Sequence, residues 1–292
     1  MFNSDSYNNI KRLVQPELDL VDKYVYSIGS IYPAFDSALT EYFKAPSKKI
    51  RSVIAFLFFK ALGFDISEAF VKLQASVEII HNATLIHDDI IDKSDVRRGL
   101  ETFNSKFDNS LAVISGDYLL SVALKYLLNL NSCEILNIFA DTIDKMCEGE
   151  IHQYFNKFKL PTIDEYVEKS KAKTSSLFEA SLESASILYN FDRNIALNFA
   201  NKFGIAFQIR DDILNFTNSD NKPVKNDYEE GIFTAPVIYA NGDIENISEG
   251  IEKAKQLLDN YLCGCRNIIN NIVSGDNVYK KALFDILDLL SL

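Results

Sequence analysis

The sequence predicts an all-α fold, an antiparallel helical bundle, and three observations carry that prediction. Only 11 glycines and 6 prolines punctuate 292 residues, too few for the many turns of a β fold. Apolar residues recur at three- and four-residue steps through most of the chain. No stretch of useful length alternates apolar with polar residues. A hydrophobic content of 47% against 24% charged residues supplies a sizeable core and marks a globular chain. With no internal repeat and no linker rich in Gly or Ser, residues 1–292 read as a single domain.

The elements follow in order. Met1 to Gln15 is polar and Asn-rich, without the apolar core of a secretory signal. The longest membrane-span candidate, Val53 to Phe59, is bounded by Arg51 and Lys60; a membrane helix needs roughly 20 residues, so no integral membrane segment is expected. Ala69, Leu73, Val77, Ile80 and Thr84 line one face of a long helix that starts near Ser67. Leu111 to Leu130 is nearly all apolar, which predicts a helix buried on most sides. Thr162-Ile163-Asp164-Glu165 follows Pro161 as a capping box, so a helix starts there. Lys169 to Leu188 reads as a helix whose small residues, Ala172, Ser175, Ser176 and Ala180, permit close packing. Ile195 to Phe216 is another long helix. Thr217 to Pro236 is polar and holds Pro223, Gly231 and Pro236, the composition of a functional loop. Helices at about Ile247–Ile272 and Asn277–Leu290 complete the chain.

Composition also restricts function. A net charge of −11 excludes a nucleic-acid partner, whose phosphate backbone needs a basic face. Such a chain takes an anionic substrate only where cations bridge the two. Cys133, Cys147, Cys263 and Cys265 have no disulfide-framework spacing. Cys263-Gly264-Cys265 has neither a second pair nor a nearby histidine, so free thiols in a reducing cytoplasm are expected. Three histidines without an HExxH pattern do not make a zinc site, and no Gly-rich phosphate loop occurs.

Two acidic clusters remain. In His87-Asp88-Asp89-Ile90-Ile91-Asp92, Asp88 and Asp92 fall one turn apart on one helical face. Close carboxylates repel by on the order of 1 kcal/mol per pair in water and more at lower dielectric, so a helix does not carry them for stability. Hard oxygen ligands suit Mg²⁺, which is readily shared with substrate phosphates. A solvated helix end would account for one such cluster. The second, Gln208-Ile209-Arg210-Asp211-Asp212-Ile213-Leu214-Asn215, has its first aspartate 123 residues after Asp88 (211 − 88) and also ends an apolar run; two clusters are not explained that way. A diphosphate beside acidic walls requires bridging cations. Cationic residues accompany the clusters. Arg97-Arg98-Gly99 follows the first, and Lys48, Lys49 and Arg51 precede a helix; arginine forks bind phosphate oxygens bidentately. Lys173-Thr174 stands in a stretch of small residues, where a lysine either snorkels or reaches a substrate. Lys222 and Lys225 lie in the polar loop.

In these residues and their order, from about Lys48 to Pro236, the sequence resembles the trans-isoprenyl diphosphate synthase (polyprenyl synthetase) family. Asp88-Asp89-Ile90-Ile91-Asp92 is similar to the family's first DDxxD motif, and Arg97-Arg98-Gly99 follows it on schedule. Ser47-Lys48-Lys49-Ile50-Arg51 looks like its Gly-Lys-Arg motif. Ser115-Gly116-Asp117-Tyr118-Leu119, Glu148-Gly149-Glu150 to Gln153, Lys173-Thr174 and Phe207 to Asp212 are similar to further signatures. The resemblance implies a helical bundle around a deep central cavity, and a transferase that joins isopentenyl diphosphate to an allylic diphosphate. It implies three Mg²⁺ ions on Asp88, Asp89, Asp92, Asp211 and Asp212, with Asn215 as a further oxygen ligand. Lys48, Arg51, His81 and Arg98 would bind isopentenyl diphosphate. Arg97, Lys173, Thr174, Gln208 and Lys222 would bind the allylic substrate, and a homodimer is expected.

The chain departs from the family pattern at four positions. Asn215 stands for a usual Asp, Ile232 for a phosphate-binding Lys, Glu101 for a Pro and Ser47 for a Gly. In the family, bulky residues just before the first motif form a floor that stops chain growth. Ala83 and Thr84 are small here, which implies a deeper pocket and a medium or long product, with Leu124 and Leu127 as the next floor. A farnesyl or geranylgeranyl synthase, a terpene cyclase and a regulatory subunit are the competing readings. Lys48, Arg51 and His81 argue against the cyclase, which needs no isopentenyl site.

Overall fold

The computed structural model describes residues 4–30, 32–217 and 226–292; Lys222, Pro223 and Lys225 of the polar loop lie outside them. Among the described residues the only strands form one two-residue pair. The helices are α1 (Ser4–Arg12), α2 (Gln15–Tyr26), α3 (Pro33–Lys44), α4 (Ile50–Ala61), α5 (Glu68–Ile91), α6 (Phe103–Lys106), α7 (Asn109–Leu128) and α8 (Cys133–Phe155). They continue with α9 (Ile163–Ser170), α10 (Ser176–Tyr189), α11 (Arg193–Thr217), α12 (Asn226–Glu229), α13 (Ala235–Tyr239), α14 (Ile247–Ile272) and α15 (Val278–Leu290). Ser4–Arg12 of the polar N-terminal stretch is therefore helical, a reading its composition did not yield. The chain divides into two compact units, residues 14–137 and residues 1–13 with 138–292.

In the first unit α5 is the central element. Ser67 caps it, accepting from the Phe70 N–H at 3.2 Å, and Phe70, Leu73, Val77, Ile80, Ala83 and Ile86 are buried along it. The apolar run Val53 to Phe59 is fully buried core in α4. Ion pairs Lys49–Asp22 and Lys60–Glu17 fasten α4 to α2. The expectation for the Leu111–Leu130 helix is corrected in two ways. It is α7, not Val53–Phe59, that is long and apolar enough to cross a membrane by length and composition. And α7 is not buried on most sides. It packs one face along α5 through Ala112, Ser115, Gly116, Leu119, Ala123 and Leu127, while Val113, Ile114 and Leu128 are 44%, 60% and 56% exposed. Its other contacts, with α6 and through Tyr118 to Phe35 and Tyr126 to Tyr24, leave those three side chains uncovered.

In the second unit α11 packs against α10 and α14, and α1 against α15. Phe199, Phe203, Ile209 and Ile213 of α11 and Ala254, Leu258, Leu262, Cys265 and Ile269 of α14 form apolar stripes at helical spacing. The capping box at Thr162 is present: the Glu165 N–H donates to Thr162 Oγ1 at 3.3 Å, and the Thr162 N–H donates to the Glu165 carboxylate at 2.7 Å. The continuous helix expected from Lys169 to Leu188 is instead broken by a π-turn over Lys171–Ser175. Close packing is the reason. A Cβ at Gly204 would lie 2.6 Å from the Ser175 Cα, so the turn bulges directly onto the α11 backbone. Such single π-turns are frequent at functional sites.

Candidate functional site

The functional side chains fall into one constellation in each unit. In the first unit the acidic cluster terminates α5. Asp92 is the C-cap residue, its N–H donating to the Asp88 carbonyl at 2.8 Å, and the Ser94 N–H donates to the Asp89 carbonyl at 2.9 Å. Three carboxylates therefore sit at the negative end of the helix dipole, a placement costing about 0.3–1 kcal/mol each unless a cation compensates. Arg97 supplies part of that charge: its Nε donates to Asp89 Oδ1 at 2.6 Å. Asp89 Oδ2 is buried and takes part in no hydrogen bond. Burial raises the Asp89 pKa while Arg97 opposes the rise.

The two arginines stand on a small hairpin that composition did not reveal. Val96 pairs with Glu101 and Arg97 with Leu100. Arg98 and Gly99 form its two-residue loop, both at positive φ (55° and 80°), as a type I′ turn requires. A non-glycine residue held in this region is a strained position of the kind found at ligand sites. Arg98 Nη1 reaches Asn82 Oδ1 at 3.4 Å.

Behind the hairpin lies a buried polar wall on α4 and α5. Ser52 Oγ donates to Glu78 Oε1 at 2.7 Å. Burial lowers the Arg51 pKa to about 10 against the opposing pull of Glu78. Burial, followed by the charges of Arg51, Arg98 and Arg97, holds His81 well below its ordinary value, so its imidazole is neutral. Tyr42 of α3 presents a buried hydroxyl without a hydrogen bond among the described residues. Burial raises its pKa, and Arg98, Asp89, Arg97 and Asp88 are the charges that act on it. Glu78, Asn82 and Tyr42 were not singled out from the sequence. Glu78 had a signal, an acid three residues before His81 on the buried face of an apolar helix. Tyr42 had none. Lys48 is exposed beside the start of α4. Ala83 and Leu127 are fully buried, and Thr84 and Leu124 half-buried.

In the second unit a hydrogen-bonded chain links α9, the π-turn and α11. Thr174 Oγ1 donates to Gln208 Oε1 at 2.6 Å, Gln208 Nε2 donates to Asp212 Oδ1 at 2.8 Å, and the Tyr166 hydroxyl donates to Asp212 Oδ2 at 2.6 Å. Burial raises the Asp212 pKa to about 6, with Tyr166 and Gln208 opposing. Both Asp212 oxygens are thus engaged inside the protein, whereas Asp211 is more exposed, its side chain at 44%, and lies 3.7 Å from Arg210. Asn215 is exposed at the end of α11. Lys173, its side chain 40% exposed, pairs with Glu150 of α8, which Gln153 also contacts at 3.3 Å. Tyr166, Lys169 and Glu150 acquire their place here only through the fold. Of the departures, Ile232 donates its N–H to the Asp227 carbonyl at 2.7 Å, and Glu101 accepts from Ser105 Oγ at 3.1 Å.

The donor set fits a hard divalent cation. It is oxygen only, it gathers at a helix C-terminus, and it includes a buried carboxylate oxygen with no hydrogen bond. Among the described residues no three acidic, histidine or cysteine side chains converge on one metal position. Mg²⁺ keeps waters and takes one or two carboxylates plus substrate phosphates.

A family model described as polyprenyl synthetase matches residues 32–262. A curated prenyl transferase of Cyanophora paradoxa is 40% identical over 245 residues, 80% of this chain and 76% of that protein. The chloroplastic solanesyl diphosphate synthase 2 of Arabidopsis thaliana is 35% identical over 245 residues, 80% of this chain and 59% of that protein. The crystal structure of heptaprenyl diphosphate synthase from Staphylococcus aureus superposes with a TM-score of 0.83 at 26% identity, covering 97% of each chain.

Proposed function

The chain belongs to the polyprenyl synthetase family and is a trans-prenyltransferase, and on that premise we propose how its residues divide the work. The enzyme condenses isopentenyl diphosphate with an allylic prenyl diphosphate to give an all-trans polyprenyl diphosphate of medium or long chain. The product class rests on similarity to solanesyl and decaprenyl diphosphate synthases. Asp88, Asp89 and Asp92 would hold Mg²⁺ in the first unit, and Asp211, Asp212 and Asn215 in the second, three ions in all. Asp212, which accepts from Tyr166 and Gln208, also anchors the second motif from inside. The observation that carries this reading is the cluster at the end of α5, where three carboxylates gather at the negative end of the helix dipole and Asp89 Oδ2 is buried without a hydrogen bond.

When bound, the metal neutralises charge that develops on the departing diphosphate. The protein does the rest. Lys48, Arg51, His81 and Arg98 grip the isopentenyl diphosphate; Glu78 orients Arg51, and the neutral His81 donates one ring N–H without adding charge. Arg97, Lys173, Thr174, Gln208 and Lys222 grip the allylic diphosphate, so that the reacting carbons meet in a fixed orientation. Lys173 leaves Glu150 for the more strongly charged phosphate. As the allylic C–O bond breaks, the double bond of isopentenyl diphosphate attacks the cationic carbon and a proton leaves to the released diphosphate.

The same reading takes the protein as a cytoplasmic homodimer. The exposed Val113, Ile114 and Leu128 of α7 support an isologous interface, and the free thiols support a reducing compartment. Sedimentation of the purified chain at twice its 33.1 kDa mass is the expected result. Incubation with Mg²⁺, isopentenyl diphosphate and farnesyl diphosphate tests the activity. A defined ladder ending beyond geranylgeranyl length supports the assignment; no product from farnesyl or shorter primers overturns it.

A further inference from the structure

Lys169 of α9 belongs to no motif described above, and its setting differs from that of a surface lysine. Tyr166, Lys169 and Lys173 recur at three and four residues, which places them along one side of the α9–π-turn segment. The Lys169 ammonium lies over the Tyr166 ring, 5.9 Å from its centroid, and that ring's hydroxyl is committed to Asp212. The acidic groups that act on Lys169 are Asp212, Asp227 and Glu150. Two are already engaged: both Asp212 oxygens accept hydrogen bonds, and Glu150 pairs with Lys173. Among the described residues Lys169 has no ion pair within 4 Å. Burial, reinforced by Lys173, holds the ammonium below its ordinary pKa, with Asp212 leading the opposing charges. A half-buried ammonium without a close counter-ion carries a desolvation cost that the more distant acidic groups only partly offset, and an anionic ligand reduces it.

Resting on the transferase reading, we propose that Lys169 is a further substrate-binding residue that contacts the allylic diphosphate one turn from Lys173. The aromatic ring beneath it fixes the ammonium without neutralising it, and the Tyr166–Asp212 bond fixes the ring. Lys169 and Lys173 together then offer two ammonium groups to one diphosphate.

Lys169→Met and Lys169→Arg in the full chain test this, with the exposed Lys253→Met as control. Loss of one charge-assisted contact weakens binding by about tenfold or more. Lys169→Met should raise KM for farnesyl diphosphate by that factor and weaken inorganic diphosphate binding in calorimetry by as much, leaving KM for isopentenyl diphosphate unchanged. Lys169→Arg should restore most of the loss. An unchanged KM with a lowered melting temperature overturns the proposal and makes Lys169 an internal partner of Asp212. Amine labelling of the unmodified chain provides a reading independent of any variant's folding: diphosphate with Mg²⁺ should protect Lys169 and not Lys253, and equal labelling with and without diphosphate overturns the proposal. A wild-type chain that binds diphosphate and protects Lys169 yet makes no product overturns the transferase reading alone.

Discussion

The His87 ring occupies the space that a side chain at Gly116 would need. A Cβ there would stand 2.1 Å from His87 Nε2, and that nitrogen sits 3.2 Å from the Val113 carbonyl of α7. The residue next to Asp88 is thereby seated on the neighbouring helix, which fixes the azimuth of the acidic cluster. Gly116→Ala should destabilise the protein by about 1–3 kcal/mol through overpacking and lower turnover by displacing the end of α5. In a thermal melt, His87→Ala in the Gly116→Ala background should recover most of the loss. A Gly116→Ala melt identical to wild type would mean that the ring moves aside without consequence.

Adjacent aspartates in the first cluster should respond differently. Asp88 stands at the negative end of the helix, and Asp88→Ala should abolish turnover while leaving the protein folded. Asp89 is 1% exposed and accepts from Arg97. Asp89→Ala strips that guanidinium of its partner and should cost about 1–3 kcal/mol of stability as well as activity. Parallel melts and product assays compare the two; surviving activity in Asp88→Ala would refute the metal assignment.

The contrast between Asp89 and Asp212 shows what a sequence conveys and what it does not. Helical period, the capping box at Thr162 and the spacing of Asp88 and Asp92 are local, and each was legible because one element determines it. The engagement of Asp212 by Tyr166 depends on residues 46 positions apart, so the second motif read as ligands without showing that one member is held internally. The π-turn escaped for a similar reason. Its cause is the approach of α11 at Gly204, not the propensity of Lys171–Ser175. The exposed side of α7 was misjudged because composition reports how apolar a helix is, not how many neighbours cover it.

Cysteine chemistry provides a test that involves no substrate. Cys263 and Cys265 are two residues apart on α14, yet Cys263 is exposed and Cys265 buried. Burial pushes the Cys265 thiol up to about 12, so at pH 8 its thiolate fraction is on the order of 10⁻⁴. The thiolate is the nucleophile, and reactivity therefore rises with pH toward that value. In native protein at pH 8, maleimide followed by peptide mass spectrometry should modify Cys263 and spare Cys265 until denaturant is added. Equal labelling would place the α11–α14 packing in error.

Product length should answer to Ala83. It is fully buried on α5 and stands five residues before Asp88, about 7.5 Å along the helix axis, so a side chain there lies below the diphosphate end of any chain growing alongside α5. Thr84 does not fill the space, because its hydroxyl turns back to the His81 carbonyl at 2.8 Å. Ala83→Tyr should shift the product ladder to fewer isoprene units while primer consumption continues. The cost in stability should be about 1–3 kcal/mol, as for other added bulk in a packed core. Leu127, also fully buried on α7, gives the opposite test, since Leu127→Ala lowers the next floor and should lengthen the product. Shortening in the first variant together with lengthening in the second places the growing chain along α5 and α7. An unchanged ladder in both would assign those side chains to helix packing alone.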